Sequence, residues 1–297
     1  LTTMRLDTDS AVIGFIGTGV MGKSMVRNLM KQGYRLHVYS RTKAKAEELL
    51  SEGAVWQSTP AEVARHANVI ITMVGFPRDV EEVYLGEDGI VAAARPGCYL
   101  VDMTTSSPIL AKRIYAEASR KGQHALDAPV SGGDVGAKEA RLSIMVGGER
   151  QAFDASLPIF EAMGRNIVYQ GEAGAGQHTK MCNQIAIASN MMGVCEALAY
   201  AQSAGLDPMT VLGSIESGAA GSWSLSNLGT RIIAGNFEPG FYVKHFIKDM
   251  GIALESAEAM GLDTHGLRLA KSLYERLAAS GGEDFGTQAL YKIYNRV

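Results

Sequence analysis

Lys180 is the only charged side chain between Glu172 and Glu196. The residues after it predict that it opens a long apolar helix, where helix-terminal potential and burial both disfavour an ammonium and bring its pKa toward neutrality. Such an amine suits proton exchange with an alcohol oxygen. The plainer alternative is a lysine that reaches from a helix end to solvent. Asn183 and Gln184 follow three and four residues on, hence on the same helix face. Upstream, Asp127-Ala128-Pro129-Val130-Ser131-Gly132-Gly133 leaves an apolar run with a hydroxyl and two successive glycines. Ser131, Gly132 and Gly133 could cradle a small anion such as a carboxylate, against the bland reading of a Gly-Gly turn.

A third constellation lies near the start. Gly17, Thr18, Gly19, Val20, Met21 and Gly22 join the apolar run Val12 to Ile16 to a stretch in which Met21, Met25, Val26, Leu29 and Met30 recur at helical spacing. Strand, glycines and helix in that order make a dinucleotide-binding turn. Gly17 turns the chain, Gly19 lets backbone N–H groups approach a pyrophosphate, Gly22 lets helix pack on strand, and the helix N-terminus adds partial positive charge. An NAD-specific site would place an acid about 20 residues past the glycines. Ser40-Arg41-Thr42-Lys43 stands there instead, and every charged residue between Gly22 and Glu47 is basic. Arg41 can stack on adenine and pair with a 2′-phosphate, with Ser40 and Thr42 as neutral donors, so NADP(H) is expected over NAD(H). The competing explanation is a basic helix start on a solvated face.

Val74 and Gly75, in Met73 to Pro77, and Thr105, in Asp102 to Pro108, fall where strand ends would meet a ligand crevice. They are expected to line the nicotinamide end, unless both segments are only strand-to-helix turns capped by Ser or Thr. Late in the chain, Phe241 to Asp249 alternates aromatics with cations, and Lys248 could reach the cofactor. Trp223, in the small-residue loop Gly218 to Ser224, could wall a pocket.

The elements that would position these residues follow from periodicity. Runs at 12–16, 35–39, 69–73, 98–102, 124–128, 142–146 and 166–170 read as strands alternating with amphipathic helices, which argues for parallel βαβ units. Beyond the glycine-rich segment 171–176 the texture changes to long Ala/Met/Leu helices. The expected fold is an α/β Rossmann-like N-terminal domain, 11–173, followed by an all-α C-terminal domain, 174–297.

Composition narrows the function further. The 297 residues are 46% hydrophobic and 20% charged with a formal net charge of −3, so no whole-protein basic field invites nucleic acid. The longest uncharged apolar-rich stretch, Met181 to Cys195, is shorter than the ~20 residues of a membrane span and contains polar side chains. Three cysteines without metal-ligand spacing suggest neither a disulfide framework nor a metal site, and fit a cytoplasmic location. Leu1 to Ser10 is polar and reads as a disordered or appended tail.

Taken together, the motifs resemble those of the β-hydroxyacid dehydrogenase family, the group of 3-hydroxyisobutyrate dehydrogenase, tartronate semialdehyde reductase and glyoxylate/succinic semialdehyde reductases. Its opening GLGxMGxxMAxNL is matched at 17–29, its DAPVSGG stands unchanged at 127–133, its GxGxxxKxxNN appears at 174–184, and its KD pair is Lys248-Asp249. Thr18 replaces the usual Leu, and Gln184 replaces the second Asn. The resemblance implies an active site between a Rossmann-like and a helical domain, a catalytic Lys180, and a small 3-hydroxy acid or its semialdehyde as substrate. It implies Ser131, Gly132, Gly133, Asn183 and Gln184 as substrate contacts, and a homodimer or homotetramer. Imine-reducing relatives typically lack the lysine, and a non-catalytic nucleotide sensor would have no use for one.

Overall fold

In the computed structural model, which describes residues 4–294, the anticipated apolar runs form strands. These are β1 (Val12–Ile16), β2 (Arg35–Tyr39), β3 (Val55–Trp56), β4 (Val69–Thr72), β5 (Tyr99–Asp102), β6 (His124–Asp127), β7 (Val130–Ser131), β8 (Leu142–Gly147) and β9 (Gly164–Gly171). The two-residue strands β3 and β7 are too short to leave a periodicity in sequence. Neighbours run β3-β2-β1-β4-β5-β6-β8-β7, with β9 on β8. From β3 to β6 every pairing is parallel.

The expectation of parallel units throughout fails at β8, which runs antiparallel to β6 and β7. Only residues 132–141 separate β7 from β8. That is less than the dozen or more residues a parallel crossover needs. Pairing becomes parallel again between β8 and β9, which are joined by a full helix.

Along the strands side chains alternate between two buried faces, as a doubly covered sheet requires. Ile13, Phe15, Val69 and Ile71 join one core with Met25, Leu29, Phe153 and Phe160. Ile16 and Ile70 join the other with Val63, Val80, Tyr84 and Ile114. The covering helices are α1 (Val20–Lys31), α2 (Glu47–Ser51), α3 (Pro60–His66), α4 (Pro77–Leu85), α5 (Ile90–Ala93), α6 (Pro108–Arg120), α7 (Gly133–Lys138) and α8 (Arg150–Met163). Thr59 and Ser107 cap α3 and α6 by accepting an N3 amide, and a proline at the first helical position loses no hydrogen bond.

Residues 4–10 are not a loose tail. Leu6 is fully buried, its N–H donates to the Ala155 carbonyl at 2.9 Å, and its carbonyl accepts from the Tyr34 hydroxyl at 3.0 Å. Of its two large apolar side chains Leu6 is buried and Met4 exposed. Residues 1–3 of the expected tail lie outside the described residues.

The chain forms two compact units, one reaching to Lys180 and one starting at Met181. The division falls inside α9 (Ala175–Ser203), which is followed by α10 (Pro208–Ile215), α11 (Trp223–Ile233), α12 (Val243–Ala259) and α13 (His265–Leu277). The second unit's core gathers Met191, Cys195, Leu198, Leu225, Phe246, Met250 and Tyr274. Among the described residues no helix is long and apolar enough to cross a membrane.

Candidate active site

Because β2, β1, β4, β5 and β6 are parallel neighbours, their C-terminal ends share one edge of the sheet, where open α/β folds bind ligands. Backbone bonds stitch the exits side by side: Gly17 N–H to Tyr39 O, Met73 N–H to Ile16 O and Met103 N–H to Thr72 O at 2.9 Å, and Ala128 N–H to Asp102 O at 2.7 Å. The first unit thus brings the glycine turn, 73–76, 103–106 and the segment after β6 into one row.

The glycine turn fits a dinucleotide on steric grounds. Gly17 has φ +103°, and a Cβ there would overlap the Met73 carbonyl oxygen; a Cβ at Gly22 would overlap the Gly17 carbonyl oxygen. A Cβ at Gly19 would meet nothing within 4 Å. The outer two glycines are therefore demanded by the protein, while the space above Gly19 stays open for a phosphate group. Thr18 is buried, and its hydroxyl has no hydrogen-bond partner in the protein.

Ser40 is buried at the exit of β2, and Arg41 is 68% exposed. Arg41 Nη2 donates to Asp79 Oδ1 at 2.6 Å and lies 3.6 Å from Glu82. Asp79 Oδ2 also accepts the Phe76 N–H at 3.0 Å. Acidic partners absent from the local sequence thus arrive from α4, and they hold the Arg41 pKa above its ordinary value. Of the other cations in the basic run, Lys23 and Arg27 pair with Glu48, and Arg27 also with Glu52. For those two the surface reading holds.

The loops after β4 and β5 are tied to a buried polar network. The Tyr84 hydroxyl lies 2.7 Å from Thr72 Oγ1, which donates to Asp102 Oδ1 at 2.8 Å. Asp102 Oδ1 also accepts the Thr104 N–H at 3.1 Å, and Thr104 Oγ1 accepts the Val74 N–H at 3.0 Å. Ser107 has the plain capping role. Thr105 is half-buried between Thr104 and Ser106, both buried.

Burial and the neighbouring Asp127 carboxylate push the Asp102 pKa up to about 6, against hydrogen bonds from Thr72 and Thr104 that lower it. With the folded-state pKa above the ordinary 3.8, the associated stability is complete below that value and is lost as pH rises through about 6. The loss amounts to about 3 kcal/mol at neutral pH. Asp102→Asn keeps an oxygen for both donors and removes the charge. It is expected to be more stable than the wild type at about pH 8, with the gap closing toward about pH 4. Urea denaturation across that range checks this, and a gap independent of pH would contradict it.

Lys180 is 7% exposed. It is not at the helix start: α9 begins at Ala175, which puts Lys180 in the second turn, where the macrodipole has largely faded. The first turn of α9 is fastened from two sides. Asp127 Oδ1 accepts the Gly174 N–H and Oδ2 the Gln177 N–H, both at 2.9 Å. The Gln177 side chain accepts the Ser106 N–H at 2.9 Å and donates to the Thr104 carbonyl at 2.7 Å. Burial raises the Asp127 pKa despite the backbone donors.

Ser131 ends β7 half-buried, and Gly132 and Gly133 follow exposed with φ of +129° and +65°. Two successive positive φ angles require glycine, and the turn they make opens α7.

In the second unit, Asn183, Gln184, Asp249 and Lys248 come together. Asn183 Nδ2 donates to Gln184 Oε1 at 2.7 Å, Gln184 Nε2 donates to Asp249 Oδ2 at 2.8 Å, and Lys248 Nζ lies 2.9 Å from Asp249 Oδ1. Both ends of the Gln184 amide are engaged inside the unit, which explains how a longer side chain is accommodated. Trp223 is not on a loop. It is the first residue of α11, 69% exposed, after the Ser222 cap.

Sequence reasoning missed Asp79, Asp102 and Gln177 and gave Asp127 no role beyond its motif. An acid closing an otherwise apolar strand was the available signal for Asp102 and Asp127. For Gln177 and Asp79 the partners are too distant in sequence for any local pattern to show. Among the described residues no group of His, Cys, Asp and Glu is placed to hold a metal.

Residues 12–171 match the family described as the NAD binding domain of 6-phosphogluconate dehydrogenase, and residues 174–294 the NAD-binding domain of NADP-dependent 3-hydroxyisobutyrate dehydrogenase. The chain is 63% identical over 282 residues to an uncharacterized oxidoreductase, YkwC, of Bacillus subtilis strain 168, covering 95% of this chain and 98% of that one. It is 42% identical to 2-hydroxy-3-oxopropionate reductase of Escherichia coli K12, covering 94% and 95%. The structure of Mycobacterium tuberculosis 3-hydroxyisobutyrate dehydrogenase with L-serine superposes with a TM-score of 0.89 at 29% identity, covering 96% of this chain and 99% of that one.

Proposed function

Since the chain belongs to the β-hydroxyacid dehydrogenase family and is an NAD(P)-dependent dehydrogenase of that group, we propose that it interconverts a small 3-hydroxy acid and its semialdehyde, with NADP(H) preferred. The observation that carries this reading is the buried Lys180, one turn beyond a helix start fastened to the strand-end loops. A non-catalytic nucleotide binder would have no reason to keep an amine at such a place.

A bound nicotinamide dinucleotide supplies the hydride chemistry; the chain's own residues do the rest. Backbone N–H groups around Gly17, Thr18, Gly19, Val20, Met21 and Gly22 bind pyrophosphate. Ser40, Arg41 and Thr42 take the adenosine ribose and its phosphate, and Val74, Gly75 and Thr105 face the nicotinamide end. Lys180 donates a proton to the substrate oxygen as the aldehyde is reduced, and accepts it in the reverse direction. Ser131, Gly132 and Gly133 hold the carboxylate, Asn183 contacts the substrate with Gln184 as its brace, and Lys248 and Trp223 act from the second unit. The L-serine named with the mycobacterial relative and the 2-hydroxy-3-oxopropionate of the bacterial reductase are both three-carbon carboxylates functionalised at C3. That shared chemistry supports the substrate class.

A panel of short semialdehydes, glyoxylate, 3-hydroxy acids and short aldehydes without a carboxylate, assayed with NADPH or NADP, tests the proposal. Turnover confined to carboxylate-bearing members is expected, and equal turnover of aldehydes without a carboxylate would sink it. Ser131→Ala should raise the substrate KM by about tenfold with NADPH affinity unchanged, the loss expected for one hydrogen bond to a charged group. An unaltered KM, or a parallel loss of NADPH binding, would remove Ser131 from the carboxylate site.

A further inference from the structure

We propose that Gln177 is a positioning residue that locks the lysine-bearing helix and the loop after β5 into one register. The inference rests on the roles given above to Lys180 and Thr105. Gln177 is fully buried, and its amide accepts a hydrogen bond from the Ser106 N–H and donates one to the Thr104 carbonyl, bracketing Thr105 from both sides. Its own N–H is held by Asp127, and a Cβ at the preceding Gly176 would overlap the Met145 carbonyl oxygen. The helix start therefore sits directly on the sheet with no slack.

Only a group carrying a donor and an acceptor side by side can satisfy both loop atoms, and Thr104 and Ser106 are each 1% exposed, so water cannot readily replace it. Lys180 lies one helical turn further on, so a shift of the first turn relative to the loop displaces the amine relative to Thr105. A misplacement of about 1 Å between reacting groups can cost ~10²-fold in rate. The residue thus couples the place where the nicotinamide is held to the place where the proton is delivered.

Two variants test this. Gln177→Met preserves bulk but neither hydrogen bond; Gln177→Glu accepts but donates only when protonated, a form that burial favours. Gln177→Met is expected to lower kcat at least about tenfold with substrate KM within about threefold of the wild type, and to speed hydrogen exchange at the Ser106 amide. The ratio of Gln177→Glu kcat to wild-type kcat should approach one at about pH 5 and fall to the Met level at about pH 8, a ratio that divides out the pH dependence the wild type has in its own right. That pH-dependent rescue is a signature that a merely space-filling role would not produce, and it carries the test should Gln177→Met fail to fold. Wild-type kcat in Gln177→Met, no added pH dependence in Gln177→Glu, or unchanged Ser106 exchange would overturn the proposal. Should the wild-type protein turn over no hydroxy acid or semialdehyde, the reading of its function falls. Ser106 exchange and NADPH affinity in the two variants then still decide whether the clamp exists.

Discussion

Lys180→Met is expected to fold, to bind NADPH as the wild type does, and to lose ~10²–10⁴-fold in kcat, the range a positioned general acid–base group contributes. That loss corresponds to about 3–5 kcal/mol of barrier. Methionine is the sharper substitution because it keeps most of the aliphatic stem of a side chain that is 7% exposed and removes only the amine. An alanine there would open a cavity and mix a packing loss with the chemical one. The first turn of α9 is held by Asp127 and Gln177, so the helix should stay in place when the amine is gone. Steady-state rates with the best substrate, paired with NADPH titration, check this. A fall in kcat of less than about tenfold, or a matching loss of NADPH affinity, would mean that Lys180 is not the proton donor.

What could be read in advance divides by the range of the interaction. β1, β2 and the glycine turn were legible because their determinants are local: short apolar runs, and the glycines at 17 and 22, where a Cβ would overlap backbone. The strand-to-helix exits were legible for the same reason, since Ser107 and Pro108 stop and start elements within a few residues. The antiparallel β8 was not, because periodicity fixes which face a side chain takes and says nothing of strand direction. Leu6 was missed because one buried residue has no period. The site divides likewise. Lys180 stood out through the absence of charge around it, and Ser131 through the glycines that follow. The groups that fasten the start of the lysine-bearing helix, Asp127 and Gln177, act through bonds spanning 47 to 73 residues. Asp79 reaches Arg41 across 38 residues. At such separations the fold itself, rather than any local motif, brings donor and acceptor together.

That last pairing changes the magnitude expected of cofactor discrimination. Taken alone, a charge-assisted bond from Arg41 to a 2′-phosphate would contribute about 1.5–3 kcal/mol, or roughly 10- to 150-fold in favour of NADPH. Asp79 and Glu82 already compensate part of the guanidinium charge, and a group 68% exposed is further screened by solvent. The lower end, about tenfold, is therefore expected of the wild type. Asp79 also prevents the guanidinium from wandering, so the donors left free are presented from a fixed edge. Arg41→Asp removes the bond and gathers a third carboxylate beside Asp79 and Glu82, a cluster that repels a phosphate dianion. NADPH kcat/KM should fall by about 10- to 100-fold and NADH kcat/KM should change by less than about threefold, so that the preference is abolished at the lower end of that range and inverted at the upper. Because the interaction is exposed, the effect should shrink as salt rises from about 0.05 to about 0.5 M. Measuring kcat/KM for both cofactors in the wild type and in Arg41→Asp at the two salt concentrations decides the matter. Equal use of NADH by the wild type, or a cofactor ratio that the substitution leaves unmoved, would show that discrimination at this site does not reside in Arg41.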